Sequence, residues 1–153
     1  MEYNIFGRTG MKVSDIGFGA WAIGGKGWGD GSSDRDAVEA LNVSWEKGVN
    51  LYDTCDAYGD GHSEILIGEF LKGRREASVI VTKGGTNYRL PERSKNFNRD
   101  YLMMCLEESL GRLQTDYVDV YLLHVPDADW QDRAAVLETL KEMKQSGKVR
   151  FAG

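Results

Sequence analysis

Asp53, Tyr58, Lys83 and His124 are the residues of this chain whose types could together move a proton. A phenol titrates near ~10 when unperturbed, so alone it is a poor acid at neutral pH. An ammonium beside it favours the phenolate, and a carboxylate can hold and orient that ammonium. On this reading Lys83 and Asp53 tune Tyr58, while His124 polarises a substrate carbonyl or shares the proton with Tyr58.

The elements that must position these groups are short apolar runs. Asn50-Leu51-Tyr52-Asp53 ends on the acid, Val79-Ile80-Val81-Thr82-Lys83 on the base, and Val120-Tyr121-Leu122-Leu123-His124 on the imidazole. Loop chemistry follows each one, with Tyr58 inside Asp56-Ala57-Tyr58-Gly59. Helical segments separate the runs, so the strands are expected to be parallel, with their C-terminal ends on one rim. In βα barrels that rim is where active-site residues gather.

Each residue also has an ordinary reading. Asp53 before Thr54 could cap a turn, Tyr58 could pack in its loop, Lys83 could be a solvated strand end, and His124 a core histidine. Four reactive types at one rim outweigh these separate readings. A metal site from Cys55, His62, Cys105 and His124 matches no ligand spacing, and none is expected. The segment Gly17-Phe18-Gly19-Ala20-Trp21-Ala22 fits the G-x-G-x-x-A dinucleotide fingerprint, but that motif should open a helix. Here Gly24, Gly25, Gly27, Gly29 and Gly31 follow instead, so the expectation is an aromatic-bearing lid in which Trp21 and Trp28 wall a substrate or cofactor.

Composition narrows the class. The 153 residues suffice for one domain with a sizeable core. Nineteen basic against 24 acidic residues leave a net charge of −5, and there is no long basic run, so nucleic acid is not an expected partner. Two cysteines, Cys55 and Cys105, read as free thiols of a reducing compartment. The start shows no basic and apolar leader pattern, and no apolar run approaches membrane-span length, so a cytoplasmic location without membrane contact is expected.

Along the chain the pattern is βα, repeated. Residues 3–13 suggest a hairpin turning at Gly7-Arg8-Thr9-Gly10, and Asp15–Gly19 a glycine-rich strand. Ser33 or Asp34 caps a helix to about Lys47 with Val38, Leu41 and Trp45 in phase and Gly48 as its stop. Ser63-Glu64 opens a second helix with Ile65, Leu66, Phe70 and Leu71 facing inward, ended by Gly73. Ala77–Lys83 is a buried-looking strand. Residues 86–98 form a polar loop holding Arg89, Arg93 and Lys95, and Asn98 caps a third helix carrying Leu102, Cys105, Leu106 and Leu110. Tyr117–His124 is a strand, and Asp132 to about Ser146 a helix with Val136, Leu137, Leu140 and Met143 on one face. Gly147 stops it, and 149–153 reads as a further strand. The expected fold is therefore α/β: a hairpin, four βα units and a fifth strand, the N-terminal half of a TIM-type (β/α)8 barrel. A full barrel takes roughly 250 residues.

At these residues the chain resembles the aldo-keto reductases. The resemblance rests on Asp53-Thr54-Cys55-Asp56-Ala57-Tyr58-Gly59, Gly61-His62-Ser63-Glu64 with Gly68, Thr82-Lys83, and Leu122-Leu123-His124 with Pro126-Asp127. Gly7–Ser14, Gly17–Trp21 and Gly147–Arg150 are similar too, so it covers essentially the whole chain. Cys55 stands where the family commonly has a small residue such as alanine, a change expected to leave the chemistry undisturbed.

The resemblance implies NADPH-dependent reduction of aldehydes or ketones, with hydride from the nicotinamide and a proton from Tyr58. It implies catalytic roles for Asp53, Tyr58, Lys83 and His124, and cofactor contacts from Gly19, Ala20, Trp21 and Asp53. Trp21, Trp28, Tyr58, Tyr88 and His124 would face a small, partly apolar carbonyl substrate. The family carries its nicotinamide platform and phosphate clamp in the second half of the barrel, so the chain is expected to be an incomplete domain with weakened cofactor binding. Its open barrel edges are expected to drive self-association. The alternative is an inactive fragment or a non-catalytic binding subunit.

Overall fold

In the computed structural model, residues 1–25, 33–86, 94–126 and 132–153 are described. Strand β1 (Tyr3–Ile5) pairs antiparallel with β2 (Lys12–Ser14). Then follow β3 (Phe18–Gly19), α1 (Asp34–Glu46), β4 (Leu51–Asp53), α2 (His62–Phe70), β5 (Val79–Gly84), α3 (Arg99–Leu113), β6 (Val118–Leu123), α4 (Arg133–Gln145) and β7 (Val149–Ala152). Strands β3 to β7 form one parallel sheet in chain order. Neighbouring parallel strands joined through helices are the βα repeat expected of half a barrel.

The side-chain period of two sorts the sheet into faces. Ile80, Thr82, Tyr121 and Leu123 face the helices, where Tyr52, Ile67, Leu102, Leu106 and Met143 complete the larger core. Val79, Val81 and Val120 lie on the opposite face with Leu51, Leu122 and Phe151. Met11 and Val13 of the hairpin close the bottom of that face. Asn50 pins the hairpin in place. Its Oδ1 accepts from the Ser14 amide at 2.7 Å, its amide donates to Ser14 Oγ at 3.1 Å, and its Nδ2 donates to the Lys12 carbonyl at 3.0 Å.

Local chemistry sets the helix ends. Ser33 and Asp36 form a capping box on α1, and Asn98 accepts from the Tyr101 amide at 2.9 Å to start α3. The stop residues Gly48, Gly73 and Gly147 all have left-handed φ, between 73° and 86°.

Several expectations are corrected. Helix α2 starts at His62, and Ser63 and Glu64 turn into the core instead of capping it, because buried partners across the domain take up their oxygens. Val38, Ile65 and Leu137 are exposed; Ala37, Ile67 and Val136 fill the inward positions nearby. Each residue along a helix turns the side chain by about 100°, so one position separates Val38 from Ala37 and Leu137 from Val136, and two separate Ile65 from Ile67. The strand read at Asp15–Gly19 is only Phe18–Gly19, and β5 begins at Val79 after a 3₁₀ turn at Arg75–Ala77. The first hairpin loop contains a 3₁₀ turn at Gly7–Thr9, which shifts β2 to Lys12–Ser14.

Candidate active site

Asp53, Lys83 and His124 share the parity of the inner sheet face, so β4, β5 and the end of β6 deliver all three to one side. The register staggers them. Asp53 lies opposite Val81, Lys83 opposite Leu122, and the His124 amide donates to the Gly84 carbonyl at 2.8 Å. Each group therefore sits about one inner-face step above the last, as in the sheared strands of a barrel.

Lys83 Nζ donates to Asp53 Oδ1 at 2.7 Å, to the Thr54 carbonyl at 2.8 Å and to Tyr58 Oη at 3.3 Å. An ammonium has three protons, and these three acceptors use them all. The Tyr58 oxygen is thereby an acceptor toward Lys83, and its own proton is left to be given in another direction. Burial alone would lower the Lys83 pKa. The hydrogen bond and charge of Asp53, with the Tyr58 phenol, outweigh burial and hold it above the ordinary lysine value. Lys83 is a fixed cation at neutral pH.

His124 stands edge-on to Tyr58, with ring centroids 6.1 Å apart and an interplanar angle of 84°. Burial, and then the Lys83 charge, push its pKa below the ordinary histidine value, so the neutral ring dominates at pH 7. Trp21, about half exposed, stacks on Tyr58 at 6.1 Å and 27°. Two glycines allow that approach. A Cβ on Gly59 would come within 2.0 Å of the Gly24 carbonyl oxygen, and one on Gly24 within 2.8 Å of the Tyr58 backbone. Gly24 is thus a packing residue that holds the Ala22–Gly24 turn against the tyrosine loop.

The other expected contacts are placed as follows. Gly19 is exposed at the end of β3, opposite Asp53. Ala20 is fully buried, its amide donating to the Asp53 carbonyl at 2.8 Å and its own carbonyl accepting from Ser63 Oγ at 2.9 Å. Trp28 and Tyr88 lie outside the described residues.

Three sets of buried contacts were not foreseen in the sequence reading. Ser63 gives its only hydroxyl proton to Ala20, so Thr54 Oγ1 is the donor in the 2.8 Å bond to Ser63 Oγ. Glu64, wholly buried, accepts from Thr82 Oγ1 at 2.6 Å and pairs with Arg112 at 2.7 Å. This network braces the residue before Lys83 and the one after Asp53. The third feature is Cys55, whose Sγ lies 3.2 Å from His124 Nδ1 and 3.2 Å from Asp56 Oδ1. Lone buried polar residues in a helix or turn gave no signal of these partners.

Cys55, Asp56 and His124 offer ligand-type atoms within 4.8 Å of one another. Burial pushes the Cys55 thiol pKa far up, so it stays protonated at neutral pH, whereas metals bind the thiolate. His62 lies apart, bonded to Asp34 at 2.7 Å.

Asp56 carries a measurable cost. Burial raises its pKa from 3.8 to about 6, against a counteracting hydrogen bond from Cys55. Its folded form holds a proton that the unfolded chain releases at lower pH, so its contribution is most favourable in acid and fades as pH rises through about 6. Asp56→Asn is therefore expected to raise stability by about 1–3 kcal/mol at pH well above that value and to change it little near pH ~4. Thermal melts across this range check it; an equal effect at both ends would contradict a titrating origin.

The chain matches the aldo/keto reductase family over residues 15–153, and it belongs to that family. Aldo-keto reductase YhdN of Bacillus subtilis (strain 168) is 37% identical over 157 residues, which cover 100% of this chain and 46% of that protein. L-galactose dehydrogenase of Arabidopsis thaliana is 35% identical, over 100% of this chain and 48% of that protein. Among solved structures, the holo form of aldo-keto reductase AKR11C1 from Bacillus halodurans superposes with a TM-score of 0.88 at 31% identity, covering 99% of this chain and 49% of that one. The chain spans about half the length of the curated relatives it matches. The α/β fold with its parallel sheet corresponds to half of the relatives' barrels, and oxidoreduction of carbonyls is the chemistry of the family.

Proposed function

We propose that this chain carries the proton-transfer half of an NADPH-dependent carbonyl reductase. The Lys83 ammonium shared among Asp53, Thr54 and Tyr58 carries this reading, because it leaves the Tyr58 proton available to a carbonyl oxygen. The nicotinamide, when bound, supplies the hydride. Gly19, Trp21 and Asp53 border its place at the rim, Ala20 supports them from beneath, and Trp21, half exposed and stacked on Tyr58, offers a wall for a flat ring. Tyr58 gives its proton to the oxygen as the carbonyl carbon is reduced, Lys83 steadies the resulting phenolate, and Asp53 holds Lys83. In its Nε2–H form, neutral His124 donates to the oxygen and orients it.

The substrate is a small, partly apolar aldehyde or ketone, with Trp28 and Tyr88 as further contacts and the cytoplasm as the place of action. A fluorescence titration of the protein with NADPH tests the cofactor assignment. Saturable binding with quenching of Trp21, weakened several-fold by Trp21→Ala, is expected. A titration without any saturable change would remove the cofactor from this chain, leaving a non-catalytic binding role.

We also propose self-association through the sheet. Among the described residues β3 and β7 have no outer partner strand, and Leu51, Leu122 and Phe151 are only partly covered on the inner face. Unpaired edges and open apolar faces favour pairing with another chain. Sedimentation should show species larger than a monomer; a monomer at all concentrations with a cooperative melt would refute it.

A further inference from the structure

Cys55 bridges Asp56 and His124. Its sulfur is 3.2 Å from Asp56 Oδ1 on one side and 3.2 Å from His124 Nδ1 on the other; the Ala57 amide donates to it at 3.5 Å, and the Lys83 carbonyl is a longer alternative acceptor at 3.6 Å. Cys55 is fully buried, so water does not replace these partners. A thiol has one proton to give, and its direction decides what the imidazole must do.

While Asp56 is ionised, the carboxylate is the stronger acceptor, so the thiol proton points to Asp56. The sulfur can then only accept from His124, which requires the proton on Nδ1. Nε2, turned away from Cys55, is left as an acceptor. When Asp56 is protonated its O–H donates to sulfur, the thiol proton turns to Nδ1, and the proton on Nδ1 leaves to solvent while Nε2 takes one up. The net change is one proton gained, on Asp56. We propose that Asp56, acting through the Cys55 thiol, sets which ring nitrogen of His124 carries the proton, making both of them positioning residues for the reaction.

The consequence rests on the reading of His124 as the group that faces the reacting oxygen. An Nε2–H donates to a carbonyl oxygen and suits reduction, whereas a bare Nε2 accepts from an alcohol hydroxyl and suits oxidation. Asp56 titrates near 6, within reach of ordinary conditions. Cys55, Cys105, Glu64, Arg112 and the Tyr121 phenol surround Asp56, and Lys83, Asp53 and Lys95 act on His124. Arg112 favours ionised Asp56 and Glu64 opposes it, so the fixed pair beside it largely cancels.

The chain has two histidines, so spectra of protein labelled with ¹⁵N-histidine resolve each ring, and surface His62 serves as the folding control. At a pH well above 6, wild-type His124 is expected in the Nδ1–H form. Asp56→Ala and Cys55→Ala should both invert the ratio to mostly Nε2–H, and Cys55→Ser, whose hydroxyl also relays, should restore the wild-type form. An Nε2–H wild type, or a ratio unchanged by both alanine variants, would overturn the proposal. The spectra need no turnover, so an inactive chain would count against the carbonyl reductase reading while leaving this result intact.

Discussion

Tyr58→Phe is expected to lower carbonyl reduction by about 10²–10⁴-fold, the usual worth of a positioned general acid. The ring and its stacking on Trp21 survive the change, and only the oxygen that accepts from Lys83 is lost. Cofactor affinity should stay within a few-fold of wild type, because the phenol proton is used after binding. The measurement is the rate of NADPH oxidation with a small aldehyde, paired with the fluorescence titration. A variant retaining most of the rate would show that the oxygen is protonated from elsewhere, with His124 the next group in reach. Lys83→Met should lose a comparable rate, and its defect should not add to that of Tyr58→Phe, since the two residues act as one unit.

Arg112→Met is expected to destabilise the fold by about 3–5 kcal/mol, a large share of the roughly 5–15 kcal/mol that holds a typical domain together. It leaves the Glu64 carboxylate with no accessible surface and, among the described residues, only the Thr82 hydroxyl, 2.6 Å away, as a donor. A buried charge without its partner costs far more than the pair ever contributed, because desolvation has already been incurred. Denaturant melts check the size, and a loss below about 1 kcal/mol would show that water reaches the carboxylate and compensates. The network touches Thr82 and, through Ser63 and Thr54, the loop after Asp53, so mild variants such as Thr82→Val should lower turnover more than they lower stability.

The two expectations meet at the same strands. Lys83 and Thr82 are neighbours that point to opposite faces, one into the candidate site and one into the helix layer. The alternation that exposes the base to chemistry also anchors it from behind, and parallel pairing to β4 and β6 prevents a slip that would exchange the two. The Asp56 cost fits this picture, as buried polar groups held against their preference commonly mark sites of function.

How much of this was legible in the sequence follows from what is local. Apolar runs ending at Asp53, Lys83 and His124 are separated by helical segments, so their common rim could be read from their order alone. Helix stops at Gly48, Gly73 and Gly147 could be read for a similar reason, since the left-handed turn is a property of one residue. The Cys55–His124 contact joins positions 69 residues apart, and Glu64–Arg112 joins positions 48 apart. Such pairs depend on strand stagger and on where α2 and α3 cross, quantities to which many residues each contribute a little. For the same reason Ile65 and Ile67 could not be told apart as inner and outer positions until α2 was seated. The sequence by itself determined the reactive set, its family and the βα order, because these are carried by short motifs. Only the tertiary structure decided which thiol touches the imidazole, which carboxylate is buried with its arginine, and how closely Gly24 packs on the tyrosine loop, because each is a distance between segments that local preferences do not constrain.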